Sequence, residues 1–165
     1  MHRLFKIVFN IILMLCIYSC GTKISNTVVP VSTKSVEANN LLQDAVRLNS
    51  ISQGDKAKKK LLEAIEIDEN FGFAFIMLST LGSNTQTETD LYYEKALSLK
   101  EQLNDVEKCM LEVRTSYREN DTEKRLKYSK KILDLIPENA FAHLRIAYTY
   151  WEMANIEESR KYLAS

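Results

Sequence analysis

Residues 121–164 read DTEKRLKYSKKILDLIPENAFAHLRIAYTYWEMANIEESRKYLA, a pattern of helix, turn, helix, turn, helix. Ile132, Leu133 and Leu135 close one amphipathic helix. Pro137 ends it, because proline lacks the amide and clashes with the preceding turn. Residues 140–153 carry a new apolar stripe, with Ile146, Ala147 and Tyr150 on one face. Asn155 restarts a third helix. Four glycines and two prolines in 165 residues fit an all-α chain and disfavour a β-rich fold with many tight turns.

Working outward, the same grouping of small and large apolar residues recurs upstream. Ala57, Leu61, Ala64, Ile65 and Ile67 form one set; Tyr93, Ala96, Leu97 and Leu99 form another. Ala64 and Ala96 stand 32 positions apart, Ala96 and Ile132 stand 36 apart, and the mean step is 34. Residues and spacing together resemble the tetratricopeptide repeat, whose period is about 34 residues. In that resemblance His143 stands where the family places an aromatic residue. Ile146 and Ala147 stand at its leucine–glycine pair, Tyr150 at its tyrosine, and Ala154 at its turn glycine. Ser159 and Leu163 continue into the next helix, Phe75, Leu78 and Ser79 match an earlier first helix, and Glu69 takes the place of a proline. The resemblance covers about residues 35–163. It implies an all-α fold, a right-handed α-α superhelix (a solenoid) of about four helical hairpins over residues 35–165.

Cap chemistry sharpens the expected helix map. A first helix spans residues 35–50, with Leu41, Ala45 and Leu48 on one face. Gly54 and Asp55 turn the chain into a second helix, residues 57–68. A third covers residues 71–81 and ends at Gly82. Thr87 with Asp90 resembles a capping box at the start of the fourth, which residues 91–99 continue. Asn104 with Glu107, Asn120 with Glu123, and Asn155 with Glu158 repeat the three-residue spacing of a helix start.

The N-terminus has a different composition. Arg3 and Lys6 precede an apolar run, residues 7–17, interrupted only by Asn10. This is the pattern of a secretory signal peptide, residues 1–19, and is too short to span a bilayer comfortably. Ile17-Tyr18-Ser19-Cys20-Gly21 resembles the lipobox of bacterial lipoproteins, which implies cleavage and lipid attachment at Cys20. The alternatives are ordinary cleavage nearby or an uncleaved anchor. Two or three acyl chains hold a protein stably at a membrane. Residues 21–34, GTKISNTVVPVSTK, are short of large side chains and read as an extended tether. The expected location is the cell envelope, on the outer membrane facing the periplasm.

Charge and motif content narrow the function classes. Lys plus Arg equals Asp plus Glu at 22 each, and two of the cations lie before Cys20, so a dedicated nucleic-acid binder is disfavoured. With Cys16 in the signal and Cys20 lipidated, Cys109 stands alone and reads as a small buried side chain. His143 is the single histidine after the signal and reads as a helix-packing residue. The sequence contains no HExxH, paired CxxC, GxSxG or glycine-rich phosphate loop, so we expect no metal, no cofactor and no enzyme activity. Two basic clusters, Lys58-Lys59-Lys60 and Lys124-Arg125-Lys127-Lys130-Lys131, read as solvated faces, with contact to anionic lipid headgroups as the alternative.

Function then rests on what the repeat implies. In the family, certain first-helix positions face a concave groove that binds a protein or peptide. Here they map to Leu42, Val46, Phe73, Ile76, Met110, Arg114, Tyr117, Phe141, Leu144, Tyr148 and Trp151. Aromatics and arginine dominate binding hot spots, although the same side chains could instead pack on a neighbouring helix. The carboxylate clamp of some family members needs Lys and Asn where this chain has Leu42 and Val46, so that clamp is absent. The expected role is a membrane-anchored, protein-binding adaptor or scaffold. The alternatives are the N-terminal part of a longer regulatory or receptor protein and a small enzyme. Ile156, Leu163 and the flank of Tyr162 lack an evident cover, which predicts self-association through the C-terminal hairpin.

Overall fold

The computed structural model describes residues 29–163 of the chain. The expected signal peptide, Cys20 and most of the expected tether lie outside these residues. Among the described residues the regular structure is helical, with no strand. The α-helices are α1 (Val36–Ser50), α2 (Gly54–Ile67), α3 (Gly72–Leu78), α4 (Gln86–Ser98), α5 (Asp105–Glu119), α6 (Thr122–Leu135), α7 (Ala140–Glu152) and α8 (Ile156–Leu163). A 3-10 turn, Lys100–Gln102, follows α4. The chain is therefore all-α, as expected.

Consecutive helices pack in pairs: α1 with α2, α3 with α4, α5 with α6, α7 with α8. Neighbouring pairs join through α2 against α3 and α6 against α7, and α3 also touches α5. The apolar spacing explains the packing. On α1, Ala38, Leu42 and Ala45 recur at i, i+4 and i+7 and are all buried; on α2, Ala57, Leu61 and Ala64 do the same. Small residues at these contacts let the helix backbones approach. Gly72 makes room for a side chain instead, since a Cβ there would stand 2.4 Å from Leu103 Cδ2.

The turns carry an internal period. Ser52, Asn120 and Ala154 have left-handed backbone, with φ of 60°, 54° and 57°. Each follows the first helix of a pair. Each is followed by an amide that bonds a carbonyl five residues back: Gln53 to Leu48, Asp121 to Ser116, and Asn155 to Tyr150. This is the Schellman arrangement. Asn120 and Ala154 lie 34 positions apart, and Ser52 lies 68 before Asn120. Ala45, Ser79, Val113 and Ala147, also spaced by 34, are all buried.

Several helix boundaries differ from expectation. Gly54 opens α2 instead of turning the chain; the turn residue is Ser52. Helix α3 stops at Leu78, not Leu81, because side chains take its terminal carbonyls. Ser79 Oγ donates to Ile76 O (2.7 Å), Thr80 Oγ1 to Met77 O (2.8 Å) and Asn84 Nδ2 to Leu78 O (2.6 Å). The capping box of α4 is Thr85 with Glu88, two residues ahead of the expected Thr87 with Asp90. Thr85 offers the longer Glu side chain at the third position, where Thr87 offers only Asp. Asp121, not Asn120, caps α6, because Asn120 is committed to the left-handed turn. The boxes at Asn104 and Glu107 and the cap from Asn155 to Glu158 N stand as expected.

The end of the expected tether is held against the helices. Ser32 donates from N and Oγ to Glu107 Oε1 at 2.8 and 3.1 Å, while Thr33 Oγ1 donates to Asp68 Oδ2 at 2.6 Å. Asn104 Nδ2 donates to Pro30 O, and Val29 and Val31 pack against the core. Any free tether therefore ends before Val29, not at Lys34. Glu107 is fully buried and serves twice, since its other oxygen completes the cap of α5.

Candidate functional site

The first helices of the four pairs contribute to the wall of one cavity of about 640 Å³. Helix α1 supplies Gln43, Val46 and Asn49; α3 supplies Phe73, Ile76 and Met77; α5 supplies Met110, Val113, Arg114 and Tyr117; α7 supplies Phe141 and Arg145. Helical periodicity explains the selection. Met110, Val113, Arg114 and Tyr117 follow the i, i+3, i+4, i+7 rule and so share one face of α5. Phe73, Ile76 and Met77 do the same on α3. The turn after α3 adds Ser79, Thr80 and Leu81, α4 adds Thr89, and Val29 stands at the edge.

Seven of the residues expected in a groove line this cavity: Val46, Phe73, Ile76, Met110, Arg114, Tyr117 and Phe141. Four do not. Leu42 is 0% exposed, because its spacing from Ala38 and Ala45 puts it on the core stripe of α1. Leu144, Tyr148 and Trp151 lie outside the lining and are exposed, with Tyr148 and Trp151 stacked at 5.8 Å between ring centroids. Together with Phe141 they recur at i, i+3, i+7 and i+10, one stripe along α7. On the first helices, sequence reasoning missed Gln43, Asn49, Ser50 and Val113 as well as Met77 and Arg145. The heptad neighbours of Phe73 and Phe141 would have pointed to Met77 and Arg145, because i+4 shares the face.

Tyr117 organises the polar side. Arg145 Nη1 donates to its hydroxyl at 3.0 Å, and the Arg145 guanidinium also lies over Phe141. On the other side the Arg125 guanidinium stacks on the Tyr117 ring, 4.1 Å from its centroid, and bonds Glu152 Oε2 at 2.5 Å. Arg125 is 3% exposed, so this member of the basic cluster belongs to the interior and not to a solvated face. Lys124 holds Glu112 and Glu119, Lys58 holds Glu88, and Lys130 donates to the Tyr150 hydroxyl. Lys59, Lys127 and Lys131 remain exposed.

Chemistry beyond binding finds few groups to work with. Cys109 is buried, and burial pushes its thiol pKa up, which keeps it protonated. His143 Nε2 lies 3.0 Å from Pro137 O. Among the described residues no group of three or more His, Cys, Asp or Glu side chains could hold a metal ion, and no helix is long and apolar enough to cross a membrane. Compared with known proteins, no family model matches the chain and no curated protein matches it.

Proposed function

We propose that this chain is a tetratricopeptide-type solenoid that binds a segment of another protein in the cavity along its first helices, and that a lipid on Cys20 ties it to the bacterial cell envelope as an adaptor. The observation that carries the binding reading is the convergence of α1, α3, α5 and α7 on one apolar-walled cavity, with Phe73, Ile76, Tyr117 and Phe141 in the wall. Pockets that take ligands are concave and mostly apolar with a few placed polar groups, and aromatic side chains supply much of their binding energy. The 34-residue spacing of the left-handed turns and of Ala45, Ser79, Val113 and Ala147 supports the repeat. The basic start, apolar run and Cys20 support the anchor.

A photo-crosslinking residue tests the binding reading in cells. Placed at Met77 in the cavity wall, it should give a discrete adduct with a second protein; placed at exposed Lys59, it should not. Equal adducts at both positions, or none at Met77, would remove the support for a groove. Cys20→Ala should shift the protein out of the membrane fraction or leave it unprocessed. Wild-type protein that incorporates no lipid precursor would rule out the anchor.

A further inference from the structure

The cavity wall holds two cations and no acid: Arg114 on α5 and Arg145 on α7 are its only charged side chains. Three other arginines carry a carboxylate, while Arg160 is exposed to solvent. Arg47 holds Asp44, Arg118 holds Asp90, and Arg125 holds Glu152. Among the described residues, Arg114 and Arg145 have no carboxylate within 4.0 Å. Their partners are hydroxyls. Arg114 Nε donates to Ser79 Oγ at 3.3 Å, and Arg145 Nη1 donates to the Tyr117 hydroxyl. A hydroxyl accepts a hydrogen bond but brings no negative charge.

Both side chains are half-buried. Burial first, then repulsion from Arg118, pushes the Arg114 pKa down from its ordinary value and outweighs the pull of Tyr93 and of Asp90, whose carboxylate is bonded to Arg118; a guanidinium nevertheless stays protonated in proteins. A cation held in a partly desolvated site without a carboxylate in contact costs folding free energy. An incoming carboxylate would relieve that cost, and the planar fork of arginine suits it in two parallel bonds.

We infer that the cavity takes a partner segment in which acidic side chains alternate with apolar ones. The carboxylates sit against Arg114 and Arg145, and the apolar side chains sit against Phe73, Ile76 and Phe141. This rests on the protein-binding reading above and adds the charge and composition of the ligand. The stretch just before Val29 is a poor occupant, because residues 21–28, GTKISNTV, bring Lys23 and no acid.

The test uses the full chain in an uncharged detergent and fluorescein-labelled peptides of one length. One peptide interleaves Glu with Leu and Phe; matched peptides carry Gln or Lys in place of Glu. By fluorescence anisotropy the Glu peptide should bind roughly tenfold tighter than the Gln peptide, as for hydrogen bonds to charged groups, and added salt should narrow the gap. Arg114→Gln and Arg145→Gln should each remove much of that preference, with thermal midpoints no lower than that of the wild type. Phe141→Ala should weaken Glu and Gln peptides alike. Equal binding of Glu and Gln peptides overturns the assignment of charge while the groove reading stands. A preference for Glu that survives the double arginine variant, a preference for Lys, or no binding of any peptide also overturns it. The crosslink at Met77 then decides separately whether the cavity binds protein at all.

Discussion

At the scale of single residues, three turns adopt the same left-handed backbone with three different side chains, Ser52, Asn120 and Ala154. Asn tolerates this region because its short polar side chain can bond locally, whereas an alanine Cβ crowds the following carbonyl. No described glycine takes up a positive φ, so the chain does not use its cheapest solution at these turns. Ala154→Gly should therefore stabilise the protein by about 1 kcal/mol, read as a higher urea midpoint at unchanged slope. Asn120→Gly should change little. A destabilised Ala154→Gly variant would show that the Cβ packs favourably enough to outweigh the backbone strain.

At the scale of elements, buried charges fasten helix to helix. Arg125 on α6 stacks on Tyr117 of α5 and bonds Glu152 at the end of α7, so one side chain ties three helices. Removing Glu152 leaves a nearly buried guanidinium without its counter-ion, and removing Arg125 leaves a carboxylate that still reaches water. Glu152→Ala should thus cost about 2 kcal/mol, and Arg125→Met, which keeps the packed stem, about 1 kcal/mol. Equilibrium unfolding of both variants checks the order; the reverse order would mean that Arg125 contributes mainly through Tyr117. Glu112 makes a second clasp, with Lys100 Nζ at 2.7 Å and Lys124 Nζ at 3.1 Å. Burial alone would raise its pKa, but the hydrogen bonds from Lys100 and Lys124 outweigh burial and the net shift is downward. A depressed carboxylate contributes stability above its unfolded pKa, about 4.3, and loses it as pH falls through the lower folded value. Wild type should therefore exceed Glu112→Gln in stability at neutral pH, and the gap should close in acid. A gap independent of pH would assign the difference to packing.

At the scale of the whole molecule, the two ends of the array differ. Leu42, Ile76 and Met110, spaced by 34 residues, are buried on successive first helices, but Leu144 at the next equivalent position is 58% exposed. Phe141, Tyr148 and Trp151 extend that exposed stripe along α7. On α1 the exposed positions are mixed, with Glu37, Asn40, Gln43 and Arg47 beside Val36 and Val46, so they do not match the apolar stripe. Like ends should therefore meet, and the full chain in uncharged detergent should self-associate at micromolar concentration through α7 of two copies. Leu144→Glu with Trp151→Glu should give a monomer with unchanged helicity by circular dichroism, since neither side chain is in the core. Sedimentation that shows a wild-type monomer across the concentration range would leave the stripe for a following repeat in a longer protein.

By itself the sequence determined the all-α class, the order of the helices and most of their starts, because periodicity and cap chemistry act within a few residues of one another. Ala64, Ala96, Ile132 and Ala147 marked buried positions of the repeat, since the apolar stripe of a helix is set by local spacing. Seven cavity residues were legible only through the resemblance to the repeat, which implies which first-helix positions face a groove. Tertiary structure decided the rest. Whether an apolar side chain such as Leu42 or Leu144 is covered depends on the neighbouring helix, which the residue's own helix does not encode. Arg125 reads as one more cation in a basic run, and only the approach of Tyr117 and Glu152 from other helices makes its burial tolerable. Residues 29–34 read as tether because few of them are large, yet the Glu107 carboxylate, 75 positions away from Ser32, holds them in place. The lack of a carboxylate in contact with Arg114 or Arg145 is likewise a property of which helices meet, and it gives the cavity its charge.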